Sequence, residues 1–186
     1  MRDDGLPLPP LPALPSTVEQ ISELRFQLLA DAHDPDHLLW NRLIIREHPL
    51  RAAPLFGAQL RYLIRSAAGV LGAMGFGPAA FHLACRDGWI GWDAAAQAAH
   101  RAEVIGLARC LIRPGLRCAN LASRCYGLGL RRVAADWEQR YGVRPVLVET
   151  YVERRAHTGV SLPSDWKPAA NCGRNWRANR WAARWK

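Results

Sequence analysis

The sequence predicts an α/β fold built on a mixed sheet, and three observations carry that expectation. Residues 58–76 alternate apolar and polar around Ala68-Gly69, the pattern of a β-hairpin. The runs at 104–112 and 146–152 are apolar or β-branched and are bounded by Pro114-Gly115 and Pro145, as buried central strands are. Between them, residues 119–140 place apolar residues at helical spacing. Strand, helix and strand then form a unit of about 50 residues, which calls for parallel pairing and a right-handed crossover.

The elements follow in order. Five prolines within residues 5–15 fix φ and favour an extended arm, read as a spacer or as a ligand for a proline-binding domain. Ser16 with Glu19 three residues on has capping-box spacing, and Ile21, Leu24, Leu28 and Leu29 continue it as a first helix. A second helix is expected over 36–47, with Leu38, Leu39, Trp40 and Leu43 inward and Pro49 as its stop. After the hairpin, residues 78–86 read as a short helix with Phe81 and Leu83 in the core, Asp87-Gly88 as a turn and residues 89–92 as an aromatic connector. Asp93 then caps an alanine-rich helix through Arg101. In the long helix, Leu121, Tyr126, Leu128, Val133 and Trp137 form the apolar set, and Gly142 ends it.

Composition sets the outer limits. The 186 residues are 49% hydrophobic and 22% charged, which describes one globular domain and excludes collagen, a disulfide scaffold and wholesale disorder. No apolar stretch approaches the roughly 20 residues that a spanning helix needs, and the start of the chain lacks the basic and apolar regions of a secretory signal. The expectation is therefore a cytoplasmic protein without a membrane partner. Cys85, Cys110, Cys118, Cys125 and Cys172 are odd in number and contain no CxxC, so free, mostly buried thiols are expected. The six histidines show no ligand spacing, and no metal site is expected.

The formal charge of +9 is unevenly spread: residues 154–186 hold eight basic residues against Asp165 and account for +7 of it. That segment also holds four of the eight tryptophans in no helical or strand period. It reads as a basic tail that binds single-stranded nucleic acid by stacking and phosphate contacts, or as an irregular or out-of-frame terminus. The chain thus divides into a Pro-rich arm (1–16), an α/β domain (17–153) and a basic Trp/Arg-rich tail (154–186).

Ligands of a strand–helix–strand unit bind beyond the carboxyl ends of its strands, where the helix N-terminus presents free N–H groups. Here that place is the segment 113–123, with Arg113, Arg117, Asn120 and Ser123 as candidate ligand-binding residues for an anion. An ordinary connecting loop with Asn120 as N-cap is the alternative. Arg117-x-x-Asn120-x-Ala122 resembles the pyrophosphate loop of GNAT acyltransferases, with Asn120 where glycine is usual; that resemblance implies coenzyme A as a possible ligand, the cofactor being otherwise unassigned. Glu149 lies inside an apolar strand, where a carboxylate needs a partner such as Arg61 or Arg86. Paired, it is structural; unpaired, it has a raised pKa and, with Asp87, is a candidate catalytic group for proton transfer. No Gly-x-Ser-x-Gly elbow is present.

The segments 55–64, 84–92, 120–123, 136–142 and 145–152 resemble, in the same order, the DruA family. The resemblance implies a component of the Druantia anti-phage system or of a mobile-element-associated system, with other defence proteins as partners and a GNAT-like core. The chain departs from the family in places: where the family usually has an Asn-Ser-Arg-Phe-Leu-Ile-Leu-Pro strand, this chain has Gly106-Leu-Ala-Arg-Cys-Leu-Ile-Arg-Pro114. A helix and strand usual after the last strand, and a region usual before the first residue, are not evident. The expectation is a divergent or truncated member, with an acyltransferase using acetyl-CoA, or an inactive copy, as alternatives.

Overall fold

The computed structural model describes residues 1–30, 34–153, 167–170 and 178–184. Its strands are β1 (Arg25–Leu28), β2 (Leu60–Ser66), β3 (Gly69–Pro78), β4 (Val104–Ile112), β5 (Leu147–Glu153), β6 (Lys167–Ala170) and β7 (Ala178–Arg184). Its helices are α1 (Asp36–Glu47), α2 (Ala84–Ile90), α3 (Ala94–His100) and α4 (Leu121–Tyr141). The strands form one sheet in the order β1-β2-β3-β4-β5-β7-β6. Among the described strands only β4 and β5 pair in parallel, and an isolated parallel bridge joins Thr17 to Ala119. α4 is the crossover between β4 and β5, as the sequence requires.

Two helices cover opposite faces of this sheet. On one face, α1 buries Leu39, Trp40, Leu43 and Ile44 against Leu63, Val70, Ala73 and Leu111. On the other, α4 buries Leu121, Cys125, Leu130, Val133 and Trp137 against Phe26, Tyr62, Met74 and Phe76. β2, β3 and β4 contribute to both cores because successive side chains point to opposite faces. Close approach depends on missing side chains: a Cβ on Gly75 would meet Trp40 at 2.9 Å, and one on Gly129 would meet Met74 Sδ at the same distance. Trp40, fully buried, also donates its indole N–H to Met74 O at 3.0 Å.

The first expected helix is absent. Residues 18–20 make one 3-10 turn and then β1 pairs with β2. Glu23 takes φ 55, which no helix accommodates. Leu24, Phe26 and Leu28 satisfy a period of two as well as the helical spacing, and Phe26 is the buried member, edge-on to Tyr62 at 6.1 Å. The helix expected over 78–86 is also displaced. Pro78 closes β3, residues 79–83 are irregular, and Asp87-Gly88 lies inside α2 rather than in a turn. Phe81 is 60% exposed. Ala80 explains the shift, because its N–H donates to Glu149 (3.2 Å) and its carbonyl accepts from Arg86 (2.8 Å), which holds this stretch away from helical bonding.

Three further expectations change. The Pro-rich arm is docked: Asp3 and Asp4 pair with Arg46 and Arg42 of α1, and Pro10 O accepts from Arg113. Cys110, Cys118 and Cys125 are free thiols, but Cys85 is disulfide-bonded, a pairing that spacing along the chain does not encode; Cys172 lies outside the described residues. Within the tail, residues 178–184 form β7 antiparallel to β5, and β6 adds to its far side. The remaining tail residues, with Trp166 and Trp176 among them, lie outside the description. No helix among the described residues is long and apolar enough to cross a membrane.

Candidate functional site

The parallel ladder between β4 and β5 holds for three residue pairs, Val104↔Leu147, Ile105↔Val148 and Gly106↔Glu149. Beyond them β4 runs on to Ile112 and β5 to Glu153 without a shared register. The two strands therefore splay toward their carboxyl ends. Thr150 marks the last contact, its hydroxyl donating to Leu107 O at 3.0 Å. On its other edge β4 changes register against β3 between Gly75 and Phe76, so that Ala108 is the extra residue of a bulge. A bulge bends a strand and increases its twist, which accounts for β4 leaving β5 there. Past Gly106 no residue of β4 pairs with β5, although Leu107 O accepts from Thr150 and Ala108 O from the Arg109 side chain.

The segment 113–120 connects β4 to α4 at the open end of this cleft. Asn120 adopts φ 61 and ψ 8, the left-handed conformation expected of it, and makes no side-chain cap. The first-turn N–H groups of α4 thus lie at the positive end of a 21-residue helix without a capping side chain. Arg117 is exposed beside them, with one long bond to Leu116 O. Ser123 is half-buried in the first turn and has a partner within the fold.

Arg113 does not belong to this set. It is 4% exposed and donates to Glu47 at 3.1 Å and to Pro10 O at 3.3 Å, fastening α1 and the arm to the end of β4. Arg61 is likewise elsewhere. Its guanidinium lies 4.5 Å over Trp40 on the α1 face, bonded to Asn41 and Gln59, and β3 separates its strand from β4.

At the apex of the splay sits a buried ionic cluster. Glu149 and Arg86 are each 1% exposed, with Arg86 Nη1 3.6 Å from Glu149 Oε2. Arg86 also binds Asp87 Oδ1 through Nε (2.7 Å) and faces Trp92 at 6.0 Å, while its Nη2 is buried without a partner. Gln97 of α3 donates to Asp87 Oδ2 at 2.7 Å. Burial alone would raise the Asp87 carboxyl, but the Arg86 bond, with help from Leu83 N–H and Gln97, outweighs it and holds Asp87 below the usual carboxylate range. Asp87 is therefore ionised at neutral pH and a weak base, engaged as the partner of Arg86. The cluster fixes α2, α3 and β5 around the place where the ladder ends.

Sequence reasoning missed several groups here. Arg109 of β4 is 7% exposed and bonds only to the carbonyls of Ala53 and Ala108, with Nε unpartnered. An arginine in an otherwise apolar strand was the available signal. Burial pushes the Cys110 thiol up to about 12 and raises Cys125 as well, so neither is a thiolate nucleophile at neutral pH. Among the described residues no cluster of His, Cys, Asp or Glu could hold a metal ion.

A mixed sheet whose parallel central strands splay at a bulge, followed by a loop and a long helix, defines a GNAT-like α/β fold. Solved structures agree. The N-acyl amino acid synthase FeeM from uncultured soil microbes is similar with TM-score 0.50 and 14% identity, over 86% of this chain and 89% of that one. The AHL synthase LasI is similar with TM-score 0.53 and 14% identity, over 88% and 90%. At that identity the likeness concerns the fold. Residues 12–162 match the family described as Druantia protein DruA, and the chain belongs to the DruA family. No curated protein matches it.

Proposed function

We propose that this chain is a component of an anti-phage defence system whose GNAT-like core binds a phosphate-bearing, nucleotide-like ligand between β4 and β5. The observation that supports this reading most strongly is the ladder that stops after Gly106↔Glu149 while both strands continue. In it, the ligand's extended portion pairs with the edge of β4 past Gly106, and its phosphates meet the N–H groups of α4 and the guanidinium of Arg117. Arg86, Asp87 and Glu149 hold the apex of the cleft. Membership of the DruA family supports the defence context, with other proteins of the system as partners. The arginines of 154–186 are proposed to contact single-stranded nucleic acid. That part is checked by the salt dependence of single-stranded DNA binding, which falls by about 0.7 log units per log unit of salt for each phosphate neutralised.

A second reading, acyl transfer from coenzyme A, is favoured by the same splay. Here coenzyme A would supply the activated acyl group to the attacking amine. Calorimetry with coenzyme A and with nucleotides, beside an assay for thiol release from acetyl-CoA, separates the two readings. Saturable binding without thiol release supports the first, and amine-dependent thiol release supports the second. A folded chain that binds neither ligand is an inactive copy.

A further inference from the structure

A second cleft, of about 530 Å³, opens on the α1 side of the sheet, at the end of α4. Two arginines, Arg61 and Arg140, line it, and among the described residues no carboxylate does. Arg61 is held in place by neutral groups: Nε donates to Gln59 Oε1 at 2.9 Å, Nη1 to Asn41 Oδ1 at 3.0 Å and to His37 Nδ1 at 3.1 Å, and its plane lies 4.5 Å over Trp40. Gln59 is itself clamped, because the Tyr141 hydroxyl accepts from its N–H and donates to its carbonyl, both at 2.8 Å. Arg140 Nη2 donates to the carbonyls of Leu29 and Ala30 at 3.1 and 2.6 Å. Among the described residues neither arginine forms an ion pair and Arg61 Nη2 makes no hydrogen bond.

Holding a half-buried guanidinium rigid with neutral acceptors leaves its charge uncompensated, a costly arrangement unless an anion completes it. A guanidinium whose remaining two donors face an open cleft presents them to an oxyanion at little entropic cost, since the side chain is already ordered. Leu29, Leu38 and Met1 give the cleft an apolar stretch of wall, beside the polar His37, Asn41, Gln59 and Tyr141. The occupant that fits is therefore part charged and part apolar.

We propose that this cleft binds a small amphiphilic oxyanion, its carboxylate or phosphoryl head on Arg61 and Arg140 and its aliphatic body along Leu29 and Leu38. It is separate from the β4/β5 cleft and does not depend on it. Isothermal titration of the full chain with octanoate, octyl phosphate and inorganic phosphate tests this. Saturable binding of an octyl probe is expected, tighter than that of inorganic phosphate. The better of the two octyl probes identifies the head. Arg140→Gln, at an exposed position, should weaken it about tenfold and leave coenzyme A binding unchanged. Arg61→Gln should weaken it at least as much. Arg61→Lys, which keeps the charge and loses the fork, should retain part of it and stands in if Arg61→Gln does not fold. Absence of saturable binding of all three probes, or equal affinity of wild type and Arg140→Gln, overturns the proposal.

Discussion

Gly106 and Glu149 are the last residues that β4 and β5 pair in parallel, and the carboxylate of that pair is the one that Arg86 meets 1% exposed and 3.6 Å away. The end of the ladder and the buried ion pair thus coincide in space. α2 reaches this point through Arg86, and α3 through the Gln97 bond to Asp87. The strands are free to part just beyond the place where three elements are tied together.

Breaking one side of that cluster should be costly. Glu149→Gln leaves Arg86 buried without its distal carboxylate, and Arg86→Met leaves Glu149 with the Ala80 N–H. Removing one partner of a buried pair typically costs about 3–5 kcal/mol. Urea denaturation of both single variants and the double variant should give a double variant less destabilised than the sum. Strict additivity would show that the two side chains do not interact.

A second contrast concerns Glu47 and Glu138. Glu47 holds Arg113, whose side chain is 3% exposed, whereas Glu138 and Arg144 are 47% and 61% exposed at 2.7 Å. Glu47→Gln should destabilise by about 3 kcal/mol because it strands a buried guanidinium. Glu138→Gln should change stability by less than about 1 kcal/mol. Thermal melts of the two variants in one buffer decide it, and equal midpoints would refute the assignment of Arg113 to structure.

Acid should act first through His48. Burial, and then the charge of Arg109, push its pKa from 6.5 down to about 4. The folded state therefore takes up a proton less readily than the unfolded state, and stability falls as pH drops from 6.5 toward 4. The loss should be on the order of 2 kcal/mol, at about 1.4 kcal/mol per unit of pKa less some allowance for partial exposure. His48→Gln should flatten the stability profile in that window while leaving the further loss in stronger acid, where Asp87, held below the usual carboxylate range by Arg86, protonates. An unchanged profile in His48→Gln would remove the histidine from the explanation.

Thiol labelling should follow burial and thiol acidity together. Cys118 and Cys110 are both half-buried, but the Cys110 thiol is pushed up to about 12, so Cys118 should react first at alkaline pH, Cys110 slowly, and the buried Cys125 only when the chain unfolds. Peptide mapping after timed iodoacetamide treatment measures this. Native labelling of Cys125 at the rate of Cys118 would contradict the packing of α4 on the sheet.

Much of the sheet was legible from β4, α4 and β5, because a long helix between two apolar runs leaves few topologies. The hairpin and α1 were legible for the same reason, a clear period between clear stops. β1 was misread because residues 24–28 satisfy two periods at once, and only pairing with β2 decides between them. β6 and β7 were missed because the composition of the tail shows no alternation, while β7 forms on a β5 edge that exists only in the folded chain. Of the site, Asn120 and Arg117 were readable from spacing, and Arg86 with Glu149 from the cost of burying a carboxylate. Arg113 and Arg61 were misplaced because sequence does not show which face an arginine takes, and here Glu47 and Trp40 take them. β7 also changes the means of testing the tail: substituting its arginines is informative, whereas deleting 154–186 removes two strands of the sheet.

The central claim is that the splay and the α4 N-terminus form one phosphate-binding cleft. Backbone amide NMR of the full chain titrated with coenzyme A tests it most directly, with Arg117→Ala as the paired variant. The account predicts saturable shifts confined to residues 107–112, 117–123 and 149–153, weakened about tenfold or more in Arg117→Ala. Saturable shifts that leave those three segments untouched, or no saturable shift by folded protein with coenzyme A or any nucleotide, would contradict it.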